Sequence, residues 1–179
     1  MAMIYSRPGR LGIDVSRIGL GGHEFLPDGR SRGFNEDYSR ATTPGVIFPG
    51  FGGEKRKSVL QAAFRAGINM FDVTIDSEKD ALARNLRESP PSGPVHVQTR
   101  PEGMCWTNNP ADPDNQRMAD PGLLRQEVKR ILALTGWSRI DSLNFGFMGS
   151  ALKVDPEYLL KLSRNIAALR DEGLIRFAT

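Results

Sequence analysis

The sequence predicts an α/β protein built on a parallel sheet, and three observations support that fold class. Short apolar segments alternate with segments of helical apolar spacing along most of the 179 residues. Glycines such as Gly67 and Gly173 follow the helical segments, where helices commonly end. Strands that alternate with helices are joined by right-handed crossovers, which give either an open doubly wound sheet or a (β/α)8 barrel.

The first part of the chain predicts a hairpin, a strand and a long loop. Residues 4–16 have a proline-glycine turn between apolar flanks, which is typical of a short hairpin. Residues 17–20 run into Gly21 and Gly22, which indicates a strand followed by a tight loop. Residues 23–53 are polar and glycine-rich without periodicity, and loops of that length are commonly functional or mobile.

The rest of the chain predicts alternating helices and strands. The predicted helices cover residues 54–66, 77–86, 123–134 and 156–171, and the predicted strands cover 68–71, 95–99, 140–145 and 174–178. Ser77 and Asp80 fit a capping box, in which Ser77 caps the helix and Asp80 occupies its third position. Residues 101–121 are rich in Asn, Asp and Pro, which predicts a second loop.

Composition and charge argue against several classes of protein. The single cysteine allows no internal disulfide and is typical of a reduced, cytoplasmic protein. A net charge of +3 without a basic stripe argues against a nucleic-acid partner. No apolar run approaches the roughly 18 residues of a membrane span, and the N-terminal residues lack an apolar signal segment. With two histidines and one cysteine, we expect no metal site.

Five parts of the chain, taken in order, resemble the aldo-keto reductase family. They read YSRPGRLGIDVSRIGLGG, then AAFRAGINMFDV with SEKDALARNL, then VHVQTR, EVKRILALTGWSRIDSLNF and LRDEGLIRFA. The resemblance implies the N-terminal half of that family's barrel, with a hairpin, about four β/α units and the start of strand 5. A whole barrel needs roughly 250 residues. We therefore expect a single partial (β/α)8 TIM barrel domain over residues 1–179.

The resemblance implies an oxidoreductase that transfers a hydride between NADP(H) and a carbonyl or alcohol without a metal. It also implies that the NADP(H) site is incomplete in this chain, because that family holds the phosphates and adenine largely with loops after later strands. In that family a tyrosine donates the proton, a lysine paired with an aspartate makes it more acidic, and a histidine orients the carbonyl. The aspartate falls on Asp72, the lysine on Arg100 and the histidine on Gly146, while the tyrosine has no counterpart after Asp72. The catalytic set is therefore degenerate. Arg100 is always charged, and we expect it to pair with Asp72 as a planar fork.

His23 is the candidate to replace the missing proton donor. It follows Gly22 at the end of the first predicted barrel strand, where the resemblance places the nicotinamide. Imidazole ordinarily titrates near neutral pH, which suits proton transfer. The expected catalytic residues are Asp72, Arg100 and His23, and the expected cofactor-binding residues are Gly22, His23 and Asp72. The alternatives are an exposed loop histidine at position 23 and a purely structural Asp72–Arg100 ion pair.

Several other side chains have structural interpretations. Asp76, Ser77 and Glu78 are interpreted as helix-capping residues. His96 lies inside a predicted strand and is interpreted as a packing residue, and Cys105 is interpreted as an unreactive thiol.

Two further features near the first predicted helix are weaker candidates. Glu24 adjoins His23 and is a second, weaker catalytic candidate. Residues 50–53, GFGG, resemble a glycine-rich anion loop at a helix start, but they lack the spacing of a P-loop.

Two functional hypotheses follow. The first is the N-terminal part of a longer aldo-keto-reductase-like enzyme, a truncated or altered-site member that acts on a small carbonyl or alcohol. The alternative is a non-catalytic pseudo-reductase, or a half-barrel subunit that assembles with itself or with a partner chain. A partial barrel leaves two sheet edges and an apolar inner face without partners, which favours association. We expect neither nucleic acid nor a membrane as a partner.

Overall fold

The computed structural model describes residues 3–8, 12–105, 112, 115–146 and 149–179. The predicted hairpin is confirmed: β1 (Tyr5–Ser6) pairs antiparallel with β2 (Val15–Ser16), and part of its turn lies outside the described residues. Five strands then form one parallel sheet in chain order. They are β3 (Leu20–Gly21), β4 (Met70–Asp72), β5 (His96–Thr99), β6 (Ile140–Leu143) and β7 (Ile175–Ala178). This sheet confirms the predicted α/β fold class.

Helices connect the strands. They are α1 (Tyr38–Ala41), α2 (Glu54–Arg65), α3 (Asp76–Glu88), α4 (Pro121–Thr135), α5 (Gly149–Val154) and α6 (Tyr158–Asp171), with a 3₁₀ turn at Arg117–Ala119. The four longer helices lie where the apolar spacing predicts them. Helix α1 and the 3₁₀ turn interrupt segments predicted as loops, and α5 lies between the predicted strand 140–145 and the predicted helix 156–171. None of the helices in the described ranges has the length and apolar character needed to cross a membrane.

The start of α3 differs from the prediction. The helix begins at Asp76, and Ile75 occupies the cap position without a side-chain hydrogen bond. The predicted capping role of Ser77 is therefore wrong. The Ser77 hydroxyl accepts a hydrogen bond of 2.9 Å from the Phe48 backbone N–H instead. A tertiary contact with the long loop thus replaces the local cap.

The long loop of residues 23–53 is packed against α3. Ala41, Phe48 and Phe51 form a buried apolar cluster with Ile75 and Ala81 from the start of that helix. Burial of large apolar side chains stabilises such a segment by roughly 1.5–3 kcal/mol per side chain. The loop is therefore a fixed part of the wall around the ends of β3 and β4.

One face of the sheet carries a row of polar side chains at the carboxyl ends of its strands. Asp72, Gln98 and Ser142 are register partners on neighbouring parallel strands and share one face. Gln98 Nε2 donates to Asp72 Oδ1 at 3.2 Å, and the Thr179 hydroxyl lies 3.3 Å from both Gln98 Oε1 and the Ser142 hydroxyl. At this level the face is therefore mixed, because these hydrogen-bonded polar side chains lie beside the apolar Phe177, the register partner of Ser142.

Candidate functional site

The carboxyl ends of the parallel strands gather the residues proposed from sequence. Gly22 and His23 follow β3, Asp72 ends β4, and Arg100 follows β5. The Cα atoms of Gly21 and Asp72 are register partners, so the ends of β3 and β4 lie side by side. Gly146 follows β6 at the same edge and is exposed. In (β/α)8 barrels, active sites lie at this edge of the sheet.

Asp72 and Arg100 form an ion pair, but not in the predicted geometry. Arg100 Nη2 lies 3.3 Å from Asp72 Oδ2 and 3.5 Å from Oδ1, so a single nitrogen contacts both oxygens. The planar fork is wrong, and Arg100 Nε is buried without a hydrogen-bond partner among the described residues. The Asp72 side chain is 40% exposed and the Arg100 side chain 25% exposed. The pair is therefore partly open to solvent and to a ligand.

His23 is partly exposed, but neighbouring side chains hold its ring. The ring stacks on Phe34, with centroids 5.0 Å apart and an interplanar angle of 18°. Its Nδ1 lies 3.2 Å from the Ser31 hydroxyl, which fixes the ring orientation. Its Nε2 lies 3.8 Å from Oε1 of Glu78, and 46% of the side chain is exposed. The ring thus presents one nitrogen to a buried carboxyl group and part of its surface to solvent.

Glu78 is the main residue of the site that the sequence interpretation missed. Its side chain is only 1% exposed. Its Oε2 accepts a 2.7 Å hydrogen bond from the Thr74 backbone N–H, so it does help to order the helix start. Its Oε1 has no hydrogen-bond partner among the described residues and faces His23. Burial raises the pKa of Glu78 to about 7, and the nearby charge of Asp72 adds to that rise.

Gly22 makes room for the carboxyl group of Glu78. A Cβ atom at position 22 would lie 2.4 Å from Glu78 Oε2, far inside van der Waals contact. At the preceding Gly21, the equivalent position has no neighbour within 4 Å and opens into a groove. Gly22 was predicted to bind a cofactor, and the structure shows that a glycine at this position also leaves room for the Glu78 carboxyl group.

A separate network of buried charges lies on the other side of α3. Lys79 is fully buried, and its Nζ lies 2.9 Å from both Asp76 Oδ1 and Glu102 Oε2. Arg130 of α4 bridges Asp76 and Glu127. The Glu102 backbone N–H in turn donates to Glu127 at 2.9 Å. This network joins α3, α4 and the segment after β5, and each of its two cations contacts two carboxylates.

A groove of about 700 Å³ borders the site at the open edge of β3. Its lining includes Gly21 and His23, three cationic side chains (Arg32, Lys55 and Arg56) and two carboxylates (Glu24 and Glu54). Arg56 Nη2 donates to the Gly21 carbonyl oxygen at 2.7 Å, which holds that cation at the strand end. The groove therefore combines open space at a glycine with side chains of both charges, of which the cations are the ones that suit the phosphate groups of a nucleotide.

The glycine-rich segment at residues 50–53 binds a side chain of the protein itself. The Gly52 backbone N–H donates to Glu24 Oε1 at 2.7 Å. A Cβ at Gly50, where φ is 87°, would lie 2.6 Å from Arg32 Nη1. The loop thus packs closely against Arg32, and the Glu24 carboxylate already occupies the Gly52 amide.

Cys105 and His96 lie in environments that favour structural roles. Burial raises the pKa of the Cys105 thiol to about 12, which keeps it protonated and unreactive near neutral pH. His96 is buried in the first position of β5, and desolvation lowers its pKa. Its Nδ1 has no hydrogen-bond partner among the described residues. In the part of the chain that the structure describes, no group of three or more His, Cys, Asp or Glu is placed to hold a metal.

Comparison with solved structures identifies the fold. A glycerol dehydrogenase of Gluconobacter oxydans matches 99% of this chain with a TM-score of 0.64 and 21% identity, over 48% of its own length. An aldo-keto reductase complexed with NADPH matches 98% of the chain with a TM-score of 0.59 and 12% identity, over 46% of its length. No protein-family model and no curated protein sequence matches the chain.

The chain thus spans about half the length of the solved structures that it matches. Its sheet order follows chain order with all five strands parallel, as in a segment of a (β/α)8 barrel. The chain therefore has an aldo-keto-reductase-like fold that forms part of a barrel.

Proposed function

We propose that the chain belongs to an oxidoreductase that transfers a hydride between NADP(H) and a small carbonyl or alcohol. The observation that carries this proposal is the placement of His23. Its ring is oriented by Ser31 and Phe34, and it is partly exposed at the end of β3, where the fold has its active site. In this position the imidazole replaces the missing tyrosine as the proton donor.

The chemistry needs a proton at the substrate oxygen. When bound, NADP(H) supplies or accepts the hydride. Reduction of a carbonyl carbon leaves negative charge on its oxygen, and His23 donates a proton there; oxidation of an alcohol runs in reverse, with His23 as the base. A positioned acid or base of this kind contributes typically about 10²–10⁴ in rate. Asp72 and Arg100 lie beside this position as an ion pair that orients the polar end of the substrate.

Cofactor binding is supported only in part by the described residues. The groove offers Arg32, Lys55 and Arg56 for the anionic groups and the open space at Gly21 for the nicotinamide ring. The Glu78 carboxyl group occupies the space where a Gly22 side chain would lie, so Gly22 can contact the cofactor only through its backbone. We propose that Gly22, His23 and Asp72 border the reactive end of the cofactor.

A second candidate function is a non-catalytic or assembling subunit of the same fold. Arg100 cannot exchange a proton near neutral pH, and Gly146 has no side chain that could orient a carbonyl. Strands β3 and β7 are the two edges of the five-stranded sheet, and each can pair with a further strand. A second copy or a partner chain at these edges would complete a closed barrel.

The test is turnover by the purified protein. NADPH oxidation is followed with a panel of small aldehydes and ketones, and NADP⁺ reduction with a panel of alcohols. We expect measurable turnover that falls by about 100-fold or more in His23→Ala, because the proton donor is lost. Arg30→Gln is the control, since Arg30 pairs with Asp28 on an exposed turn and lies outside the groove.

Two results would count against the enzyme proposal. Absence of both NADPH binding and turnover across the panels would move the conclusion to the second candidate. Turnover that survives His23→Ala would show that another group supplies the proton. Light scattering on the same samples measures the assembly, and a monomer would remove the self-associating form of the second candidate.

A further inference from the structure

We infer that Glu78 is the positioning residue behind His23, and that the two side chains together hold and relay the proton used at the end of β3. This inference deepens the proposed function, and it names a residue that contacts His23 rather than the substrate.

The geometry points to Glu78 because only one of its two carboxyl oxygens has a hydrogen-bond partner among the described residues. Oε2 is fixed by the Thr74 backbone N–H, whereas the buried Oε1 has no hydrogen-bond partner among the described residues. Buried carboxyl oxygens are rarely left without a partner, so a free one indicates a site that is completed in function. Among the described residues, His23 is the one side chain in an ion-pair contact with Glu78, with Nε2 at 3.8 Å from Oε1.

Two features around the pair favour its use in chemistry. The glycine at position 22 allows the carboxyl group to approach the backbone at the end of β3, where any larger residue would displace it. On the other side, Ser31 and Phe34 hold the imidazole so that Nε2 faces the carboxyl group. Proton-transfer contacts are commonly longer before substrate binds than in the reacting complex, so 3.8 Å is within the expected range.

The charges that face Glu78 are mixed. Arg56 of α2 and Lys79 of α3 favour its ionised form, while Asp72 of β4 disfavours it. Lys79 is neutralised by its own partners, Asp76 and Glu102. Burial is the largest effect, and it raises the pKa of Glu78 to about 7, which suits an exchangeable proton near neutral pH.

The proton balance is simple. In the reducing direction, Nε2 of His23 first gives its proton to the substrate oxygen, while Nδ1 keeps its own proton on the side of Ser31. After the product leaves, the Glu78 carboxyl proton passes to the vacated Nε2, which faces Oε1. The net change is one O–H bond broken at Glu78 and one formed at the substrate, with Glu78 left as a carboxylate. Solvent returns the proton through the exposed part of His23. The electron pair of the hydride comes from the reduced nicotinamide, which is oxidised as the carbonyl is reduced.

The direct test is a carboxyl titration that does not depend on turnover. The protein is labelled with ¹³C at the glutamate side-chain carboxyl, and the shifts are followed by NMR from pH 4 to pH 9. Loss of one resonance in Glu78→Gln assigns Glu78. We expect its midpoint near pH 7, and we expect that midpoint to rise by about half a pH unit or more in His23→Gln, because the cationic imidazole no longer stabilises the carboxylate. Arg30→Gln, in the same loop but without a contact to the pair, should leave it unchanged.

Several outcomes would overturn the inference. One is a midpoint close to the value of about 4.3 found in model peptides. Another is a Glu78 midpoint near pH 7 that does not change in the His23→Gln variant. If Glu78→Gln does not fold, the wild-type titration still decides, because an upshifted glutamate must appear near pH 7.

The turnover profile gives a second readout and separates the two proposals. In an active protein, Glu78→Gln should lower kcat and shift its pH dependence while KM changes by less than about twofold, whereas Asp80→Asn on the same helix should retain the wild-type profile. A coupled Glu78–His23 titration without any turnover would refute the proposed reaction and leave the pair standing. Turnover without a coupled Glu78–His23 titration would support the proposed reaction and refute the role of Glu78.

Discussion

Asp76 and Glu78 are buried carboxylates in the first turn of the same helix, yet they lie in opposite electrostatic surroundings. Burial alone would raise the pKa of both. Lys79 and Arg130 hold the pKa of Asp76 below its ordinary value, whereas the pKa of Glu78 rises to about 7. Asp76 is saturated by cations, and Glu78 keeps one oxygen free. The difference separates a structural charge from a charge available for chemistry.

Removal of Lys79 should have the largest effect on this comparison. Lys79→Met leaves Asp76 and Glu102 buried beside each other without their shared cation. We expect a loss of about 3–5 kcal/mol in the free energy of unfolding. Chemical denaturation measures it. Lys57→Met is the matched control, because Lys57 pairs with Glu54 and Glu88 at the surface and should cost about 1 kcal/mol or less. Equal losses in the two variants would contradict the view of the Asp76 network as structural.

The pH dependence of stability should isolate Glu78. Its pKa is 4.5 in the unfolded reference and about 7 in the folded protein. The folded state therefore binds the extra proton between these values, and the free energy of unfolding falls by about 3 kcal/mol as pH rises through that window. Glu78→Gln should remove this fall, so the variant is more stable than wild type at pH 8 and similar at pH 4.

The Asp76 carboxylate should change the free energy of unfolding with pH in the opposite direction. Its lowered pKa contributes stability that is present above its ordinary pKa and is lost as pH falls toward the folded value. Denaturation curves collected from pH 3 to pH 8 resolve the two windows. Parallel wild-type and Glu78→Gln curves across pH 5–8 would refute the assignment of Glu78.

Gly22→Ala should sharpen the comparison by crowding only the Glu78 side of the helix. The added methyl group must displace the Glu78 carboxyl group, and overpacking of this kind costs typically about 1–3 kcal/mol. Gly21→Ala is the adjacent control, since its methyl group would enter open space in the groove. Thermal denaturation of both variants is the measurement. A loss in Gly21→Ala as large as that in Gly22→Ala would argue against a contact specific to Glu78.

The smallest effect is expected at the partly exposed pair of Asp72 and Arg100. Arg100→Met removes an ion pair that solvent screens, so stability should change by about 1 kcal/mol or less. A loss in the free energy of unfolding as large as that in Lys79→Met would show that the Asp72–Arg100 pair is, like the Asp76 network, mainly structural. Its main consequence is expected in substrate affinity, measured as KM in the turnover assay.

The sequence predicted the repeating elements well because their signals are local. Apolar spacing and glycine stops located α2, α3, α4 and α6, and five strands were predicted in the right order. The short helices α1 and α5 were missed, since helices of this length carry too little periodicity to be recognised. The Ser77 cap was wrong because the Phe48 amide, far along the chain, takes its hydroxyl.

The candidate site was predicted only in part, and the reason is tertiary. Asp72 and Arg100 were assigned through the resemblance to aldo-keto reductases, and His23 was assigned by its position after the first predicted barrel strand. Glu78 looked like an ordinary residue in a first helical turn, which favours acidic side chains. Its burial and its contact with His23 depend on how the loop over residues 23–53 folds across the end of β3, which no local pattern encodes.

The complete burial of Lys79 also makes it a reporter of motion. An amine with no exposed surface reacts with acylating reagents only when the protein opens around it, so its labelling rate measures the frequency of that opening. The exposed Lys129 on α4, which lies outside the groove, supplies an internal reference for reagent reactivity. The ratio of the two rates, followed by peptide mass spectrometry with and without NADPH, would reveal whether a nucleotide stiffens the wall between α3 and α4.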